Sequence, residues 1–252
     1  IGRELEGEYI KENTPQKEIA LEVSHLSRKK EFKNIDFTVK KGEIVGVFGL
    51  MGSGRSELLD SLFGVTKYLQ GNICLYGKPI NIKKPKDAVL AGLAYITEDR
   101  KKSGLVLNQS VGDNITISSL KEFTEFGFIN SKKEKKAVSE VIDEFKIKTF
   151  STKQLVKTLS GGNQQKVVFG RWILTKPKIL LLDEPTRGID VGAKREIYKF
   201  MSRYAEQGNS IIMISSELPE ILGMSDRIVV FKEGTVSGIV NREEATQEKL
   251  MY

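Results

Sequence analysis

The chain has 252 residues, 39% of them hydrophobic and 29% charged, and a formal net charge of +7. That length suits one large domain with a sizeable core, and the positive balance suits an anionic partner: a nucleotide, a nucleic acid or an acidic membrane face. No stretch approaches the roughly 20 apolar residues of a membrane span, and no secretory signal opens the chain. A single cysteine (Cys74) and a single histidine (His25) exclude an internal disulfide and argue against histidine metal sites and Ser-His-Asp chemistry.

Residues 1–17 are polar, include Pro15 and show no apolar period, so they read as a linker. The chain opens at Ile1 rather than Met, so a fragment or a processed chain is expected. Ile19, Leu21 and Val23 alternate, as do Ile35, Phe37 and Val39, which predicts a two-stranded antiparallel start followed by a domain over residues 18–252. His25 falls near the end of the first strand and reads as a surface or turn residue. Glu43 to Phe48 is a buried strand entering a glycine loop, and the helix beyond it carries Leu58, Leu59, Leu62 and Phe63 up to Gly64.

Gly71 to Ile82 reads as two strands around a turn at Gly77-Lys78-Pro79, with Cys74 as a small buried apolar side chain. A short helix at Ala88–Ala91 and a strand at Leu93–Thr97 follow. From about Asp99 to Thr158 the β signal disappears, and Val138, Val141, Ile142 and Phe145 take helical spacing, which predicts a helical insertion. The mixed-sign run Lys132-Lys133-Glu134-Lys135-Lys136 reads as the solvated face of its helix. Strands at Ile179–Leu182, Ser210–Ile214 and Arg227–Phe231 then alternate with helices at about Ala193–Glu206 and Pro219–Leu222, the pattern of a mainly parallel sheet.

Three segments carry chemistry. A strand, a glycine turn and a helix place backbone N–H groups around one point at a helix start, and the dipole there favours negative charge. Gly49-Leu50-Met51-Gly52-Ser53-Gly54-Arg55-Ser56-Glu57 has this form. Asp183 ends an apolar strand, where a carboxylate is costly unless it meets a cation; Mg²⁺ held through water, with Ser56 on its other side, would be that cation. Glu184 is placed to orient or deprotonate an attacking water. Ser160-Gly161-Gly162 opens a second helix as a second anion cradle, about 20 residues before the acidic strand. One compact domain does not easily aim two cradles at one nucleotide, whereas two domains in head-to-tail contact would each lend one.

These motifs, with Ile96-Thr97-Glu98-Asp99-Arg100-Lys101 and Asp183-Glu184-Pro185-Thr186-Arg187-Gly188-Ile189-Asp190, resemble an ABC-transporter nucleotide-binding domain. More narrowly, they resemble the second of two tandem domains in bacterial monosaccharide importers of the ribose, galactose and xylose kind. Gly2-Arg3-Glu4-Leu5 is similar to the linker between those halves. The resemblance implies an α/β fold: a P-loop NTPase (RecA-like) core with a mainly parallel sheet, an antiparallel β subdomain and a helical subdomain. It implies ATP and Mg²⁺ as cofactors, and Gly49, Gly52, Ser53, Gly54, Arg55, Ser56 and Glu57 around the phosphates. It also implies a signature segment, Ser160, Gly161, Gly162 and Gln164, offered to the nucleotide of the other half. Asp190 would then lie in the loop contacting that half, and the helical subdomain would seat a permease helix.

Three positions depart from the family pattern. Arg55 stands in place of lysine, a planar fork for a compact ammonium; Glu98 replaces a glutamine; Ser216 takes the place of the switch histidine. No clear aromatic is placed to stack on adenine, and Phe32 alternates with its neighbours as a core residue. The expectation is nucleotide binding with little hydrolysis at this site. The implied partners are the N-terminal nucleotide-binding half, permease subunits and, indirectly, a sugar-binding protein, at the cytoplasmic face of a bacterial membrane, with no nucleic acid. Two other readings stand beside it: a soluble ABC ATPase acting on nucleic acid or ribosomes, and a nucleotide-sensing module without turnover.

Overall fold

The structure is a computed structural model and describes residues 9–251. Strands β1 (Ile19–Arg28) and β2 (Phe32–Lys40) pair antiparallel, burying Leu21, Val23, Ile35, Phe37 and Val39 on one face. His25 is exposed at a register shift in β1, with φ 53. Strand β3 (Ile44–Gly49) crosses to the centre of a second sheet and runs into the glycine loop. Helix α1 (Arg55–Phe63) buries Leu58, Leu59, Leu62 and Phe63 and ends at left-handed Gly64. Strands β4 (Gln70–Leu75) and β5 (Lys78–Ile80) complete a four-stranded antiparallel sheet in the order β2-β1-β4-β5. Cys74 is only partly buried, contrary to expectation: Ile73 and Leu75 take the inner face of β4, so the side chain between them faces outward.

Helix α2 (Pro85–Ala91) leads to β6 (Leu93–Ile96). Helix α3 (Val111–Thr116) opens with a capping box between Ser110 and Asp113. The stretch expected to lack β structure does contain a small hairpin, β7 (Thr124–Glu125) and β8 (Phe128–Ile129). Phe126 and Gly127 both take positive φ (50 and 84), as a two-residue hairpin turn requires, and two-residue strands are too short to leave an alternation in the sequence. Helix α4 (Ser131–Glu144) carries the lysine run on its exposed side and buries Val138 and Val141.

Helix α5 (Gly161–Ile173), β9 (Ile179–Asp183), α6 (Val191–Glu206), β10 (Ser210–Ile214), α7 (Leu218–Met224) and β11 (Arg227–Lys232) follow the predicted alternation. Strand β12 (Thr235–Asn241) and helix α8 (Gln247–Met251) are additions that the sequence reading missed. The six-stranded sheet runs β12-β11-β3-β10-β9-β6, parallel throughout except for edge strand β12.

Strand alternation divides this sheet between two cores. Ile44, Leu180, Leu182, Ile211 and Met213 pack with α5, α6 and α7 on one face. Val45, Val47, Ile179, Leu181, Ile212 and Ile214 pack with α1 and the antiparallel sheet on the other. The parallel strands end on one edge, where the loops after β3, β6, β9 and β10 gather, the usual ligand position in such sheets.

Residues 9–17 have no helix or strand, yet they are docked. Lys11 pairs with Asp226, and Asn13 Nδ2 donates to the Gly42 carbonyl and to Asp226 Oδ2, each at 2.9 Å. The Glu12 N–H donates to Ser202 Oγ at 2.8 Å, and Tyr9 packs on Tyr198. The Gly2–Leu5 segment lies outside the described residues. Among the described residues no helix is long and apolar enough to cross a membrane.

Candidate functional site

The glycine loop is built for close approach. Gly52 and Gly54 take φ of 79 and 99, and a Cβ on Gly54 would stand 2.4 Å from the Glu31 carbonyl oxygen, so a side chain there is blocked twice over. Gly54 is the N-cap of α1 and no side chain caps that helix, which leaves its first-turn N–H groups open to an anion. Ser53 is buried, with its hydroxyl unpartnered. Arg55 is buried, and its Nη1 donates to the Ser215 carbonyl at 3.3 Å. Burial lowers its pKa while Glu184, Asp183 and Glu57 raise it, so an arginine stays cationic here.

Asp183 is 3% exposed at the end of β9, with Oδ1 unpartnered. Burial pushes its carboxyl up to about 6; the Ser56 hydroxyl and Arg55 oppose that shift, and Glu184 adds to it. Glu184 has φ 50, and its N–H donates to the Ile214 carbonyl at 3.0 Å. Its Oε2 accepts from the Ser216 hydroxyl at 3.1 Å. Gly49, Gly52, Ser53, Gly54, Arg55, Ser56, Glu57, Asp183, Glu184 and Ser216 thus share the edge formed by β3, β9 and β10. A buried carboxylate oxygen and a buried hydroxyl lack partners around an open helix start, beside the buried Arg55 guanidinium, and these residues fit a Mg²⁺–nucleotide.

Glu98 stands apart from that cluster, exposed and ion-paired with Arg187 in the loop after β9. Arg100 spans the same gap: Nη1 donates to the Arg187 carbonyl at 2.9 Å and Nη2 to the Gly188 carbonyl at 3.2 Å. The second cradle lies against this loop. A Cβ on Gly161 would meet Arg100 Nη2 at 2.8 Å and the Gly188 oxygen at 3.1 Å, and one on Gly162 would meet Ala193 and Asp190. Ser160 is the N-cap of α5, but its exposed hydroxyl makes no cap; it accepts from Asn163 Nδ2 at 2.9 Å. Asp190 caps α6 by accepting from the Ala193 N–H.

Gln164, expected to face the other half's nucleotide, is anchored within this chain at one end and has Oε1 unpartnered. Gln164 is 4% exposed, and its Nε2 donates to the Val156 carbonyl at 3.3 Å, so it secures the loop before α5. Phe32 is a core residue, as its alternation implied. Sequence reasoning missed Ser215 and Arg100. Ser215 acts through a main-chain carbonyl, which leaves no residue-type signal; Arg100 lay in a quoted motif, but only tertiary structure shows the two carbonyls it holds.

A family profile described as ABC transporter matches residues 32–187. Over 251 residues the chain is 53% identical to the ribose import ATP-binding protein of Oceanobacillus iheyensis, covering all of this chain and 51% of that protein. It is 50% identical over 252 residues to the ribose import ATP-binding protein of Clostridium tetani, covering all of this chain and 50% of that protein. The chain therefore spans about half the length of these curated relatives. Among solved structures, a nucleotide-free ATP-binding cassette of an ABC transporter superposes with a TM-score of 0.80 at 20% identity, covering 92% of this chain and 95% of that one. A dimeric ATP-binding cassette bound to ADP and Pi gives 0.75 at 18% identity, covering 88% and 98%; both likenesses establish the fold. With its glycine loop, signature segment and acidic strand in place, the chain belongs to the ABC transporter family of ATP-binding cassettes.

Proposed function

We propose that this chain is the C-terminal ATP-binding half of an ABC importer for a monosaccharide. In this reading it binds Mg²⁺–ATP in a site of low intrinsic turnover, and its signature segment completes the site of the N-terminal half. The observation that carries the reading is the separation of the two cradles. Gly161 and Gly162 stand against Arg100, Gly188, Asp190 and Ala193, while Gly54 and Arg55 stand against Glu31 and Ser215. A nucleotide in the glycine loop leaves Ser160–Gly162 free for a second domain. The ribose import names of relatives twice this length support the sugar-import setting and a second half in the same polypeptide.

In the bound state Gly49–Glu57 surround the phosphates with N–H groups and Arg55 supplies positive charge; Ser56 and Asp183 would hold Mg²⁺, which neutralises charge on the transferring phosphoryl group. Glu184 orients water, steadied by Ser216, a neutral donor that carries no imidazole. Glu98 is engaged by Arg187 and not by the phosphates. The setting is peripheral, at the cytoplasmic face of a bacterial membrane, with permease subunits as direct partners and a sugar-binding protein as an indirect one. Calorimetry of the chain with ATP, with and without Mg²⁺, tests the reading. Mg²⁺-dependent binding is expected; no binding at millimolar ATP removes it.

A further inference from the structure

Glu220 is a carboxylic acid with no exposed surface, on α7, outside every residue assigned above. A buried carboxyl is costly unless its neighbours hold it. Its Oε1 accepts from the Thr186 hydroxyl at 2.8 Å. Ser215 and Tyr198 bear on the same carboxyl, and the Tyr198 ring lies against Tyr9 with centroids 5.0 Å apart. Oε2 has no hydrogen-bond partner, and burial raises the carboxyl's pKa.

The two inner partners both lead to the nucleotide site. Thr186 follows Glu184 by two residues and opens the loop that Arg100 holds at Arg187 and Gly188. The Ser215 carbonyl accepts from Arg55, and the next residue, Ser216, donates to Glu184. One side chain therefore ties together the loops after β9 and β10 at the points where they carry Glu184 and fix Arg55. We infer that Glu220 is a positioning residue for the phosphate end of this site, braced by Tyr198 and Tyr9 on the side where the chain enters the domain. It acts through Thr186 and Ser215 and does not touch nucleotide. The inference rests on the ATP-binding reading above.

The test is Mg²⁺–ATP affinity of the chain by calorimetry, with circular dichroism as the control for folding. Glu220→Ala is expected to weaken binding about tenfold, the scale of one buried hydrogen bond lost. Glu220→Gln keeps the shape and an acceptor oxygen for the Thr186 hydroxyl and is expected to stay within about threefold of the parent. In an Arg55→Lys background, where the guanidinium held by Ser215 is gone, the loss from Glu220→Ala is expected to shrink by about threefold or more. Should Glu220→Ala fail to fold, Thr186→Val removes the donor alone and is expected to weaken binding about threefold. A parent chain that does not bind Mg²⁺–ATP overturns the ATP-binding reading and this inference with it. Parent binding with an unchanged Glu220→Ala, a Gln variant as weak as the alanine one, an equal loss in both Arg55 backgrounds, or an unchanged Thr186→Val overturns this inference alone.

Discussion

The Ser216 hydroxyl donates to Glu184 Oε2 across 3.1 Å, joining the loop after β10 to the residue that follows Asp183. A serine in that place steadies the carboxylate without adding a charge or a second titrating group. Glu98 is ion-paired with Arg187 in the loop after β9. In the proposed reading Glu184 therefore works beside a neutral donor.

That pairing predicts negligible ATP hydrolysis by the isolated chain, since one positioned acid–base group contributes roughly 10²–10⁴-fold and its partners here are altered. Ser216→His combined with Glu98→Gln is expected to raise phosphate release only in the full-length protein. In that protein Glu184→Gln should reduce turnover less than the same change in the other half. Steady-state ATPase assays on one membrane preparation read both, and equal collapse in the two halves would show two working sites.

Arg55 is buried with its guanidinium on the Ser215 carbonyl, so its charge is fixed in direction. Arg55→Ala is expected to weaken Mg²⁺–ATP binding more than Arg55→Lys, which keeps the charge and loses the fork. A fluorescent nucleotide titration compares them, and equal losses would mean that Arg55 does not reach phosphate.

Asp183 carries a pH dependence of defined sign. Its folded pKa is raised from 3.8 to about 6, chiefly by burial. The unfolded chain therefore releases this proton first, and the stability contributed by the protonated carboxyl is present below about pH 4 and lost as pH rises through about 6. Above that, the ionised group costs the nucleotide-free chain about 1–3 kcal/mol. Asp183→Asn is expected to raise the Tm of the nucleotide-free chain at pH 7.5, to change it less at pH 5, and to remove the Mg²⁺ dependence of nucleotide binding. A lower Tm at pH 7.5 would contradict the assignment.

What was legible in the sequence follows from the length of each signal. The strands β3, β9 and β10 are largely apolar runs, and the helices α1 and α6 carry apolar residues at helical spacing, so their placement needed no structure. Strand β12 was missed because its inner positions are Val236, Gly238 and Val240, half-buried at an edge where the apolar alternation is weak. Residues 9–17 read as a linker because they dock through Lys11, Asn13 and a backbone N–H, polar contacts that composition does not separate from solvent exposure. The cradle residues announced themselves through glycine and serine spacing. Gln164 did not, since its place in a motif says nothing about which way its side chain turns.

The entering segment yields a stability prediction. A Cβ on Gly223 would stand 2.4–2.8 Å from ring atoms of Tyr9. Gly223→Ala is expected to destabilise the chain by about 1–3 kcal/mol in urea unfolding, as overpacking does. In a Tyr9→Ala background the added methyl finds room, and the penalty should fall by more than half. An unchanged penalty would place the strain within α7 rather than against Tyr9.

The central claim is that Ser160–Gly162 serves the other half's nucleotide rather than this chain's own. Its most direct test is Ser160→Arg, which puts bulk at the second cradle, read in two ways. The account predicts near-complete loss of ATPase activity in the full-length protein and almost unchanged Mg²⁺–ATP affinity in this chain alone. A large loss of affinity in the isolated chain, or full ATPase activity in the full-length variant, would contradict it.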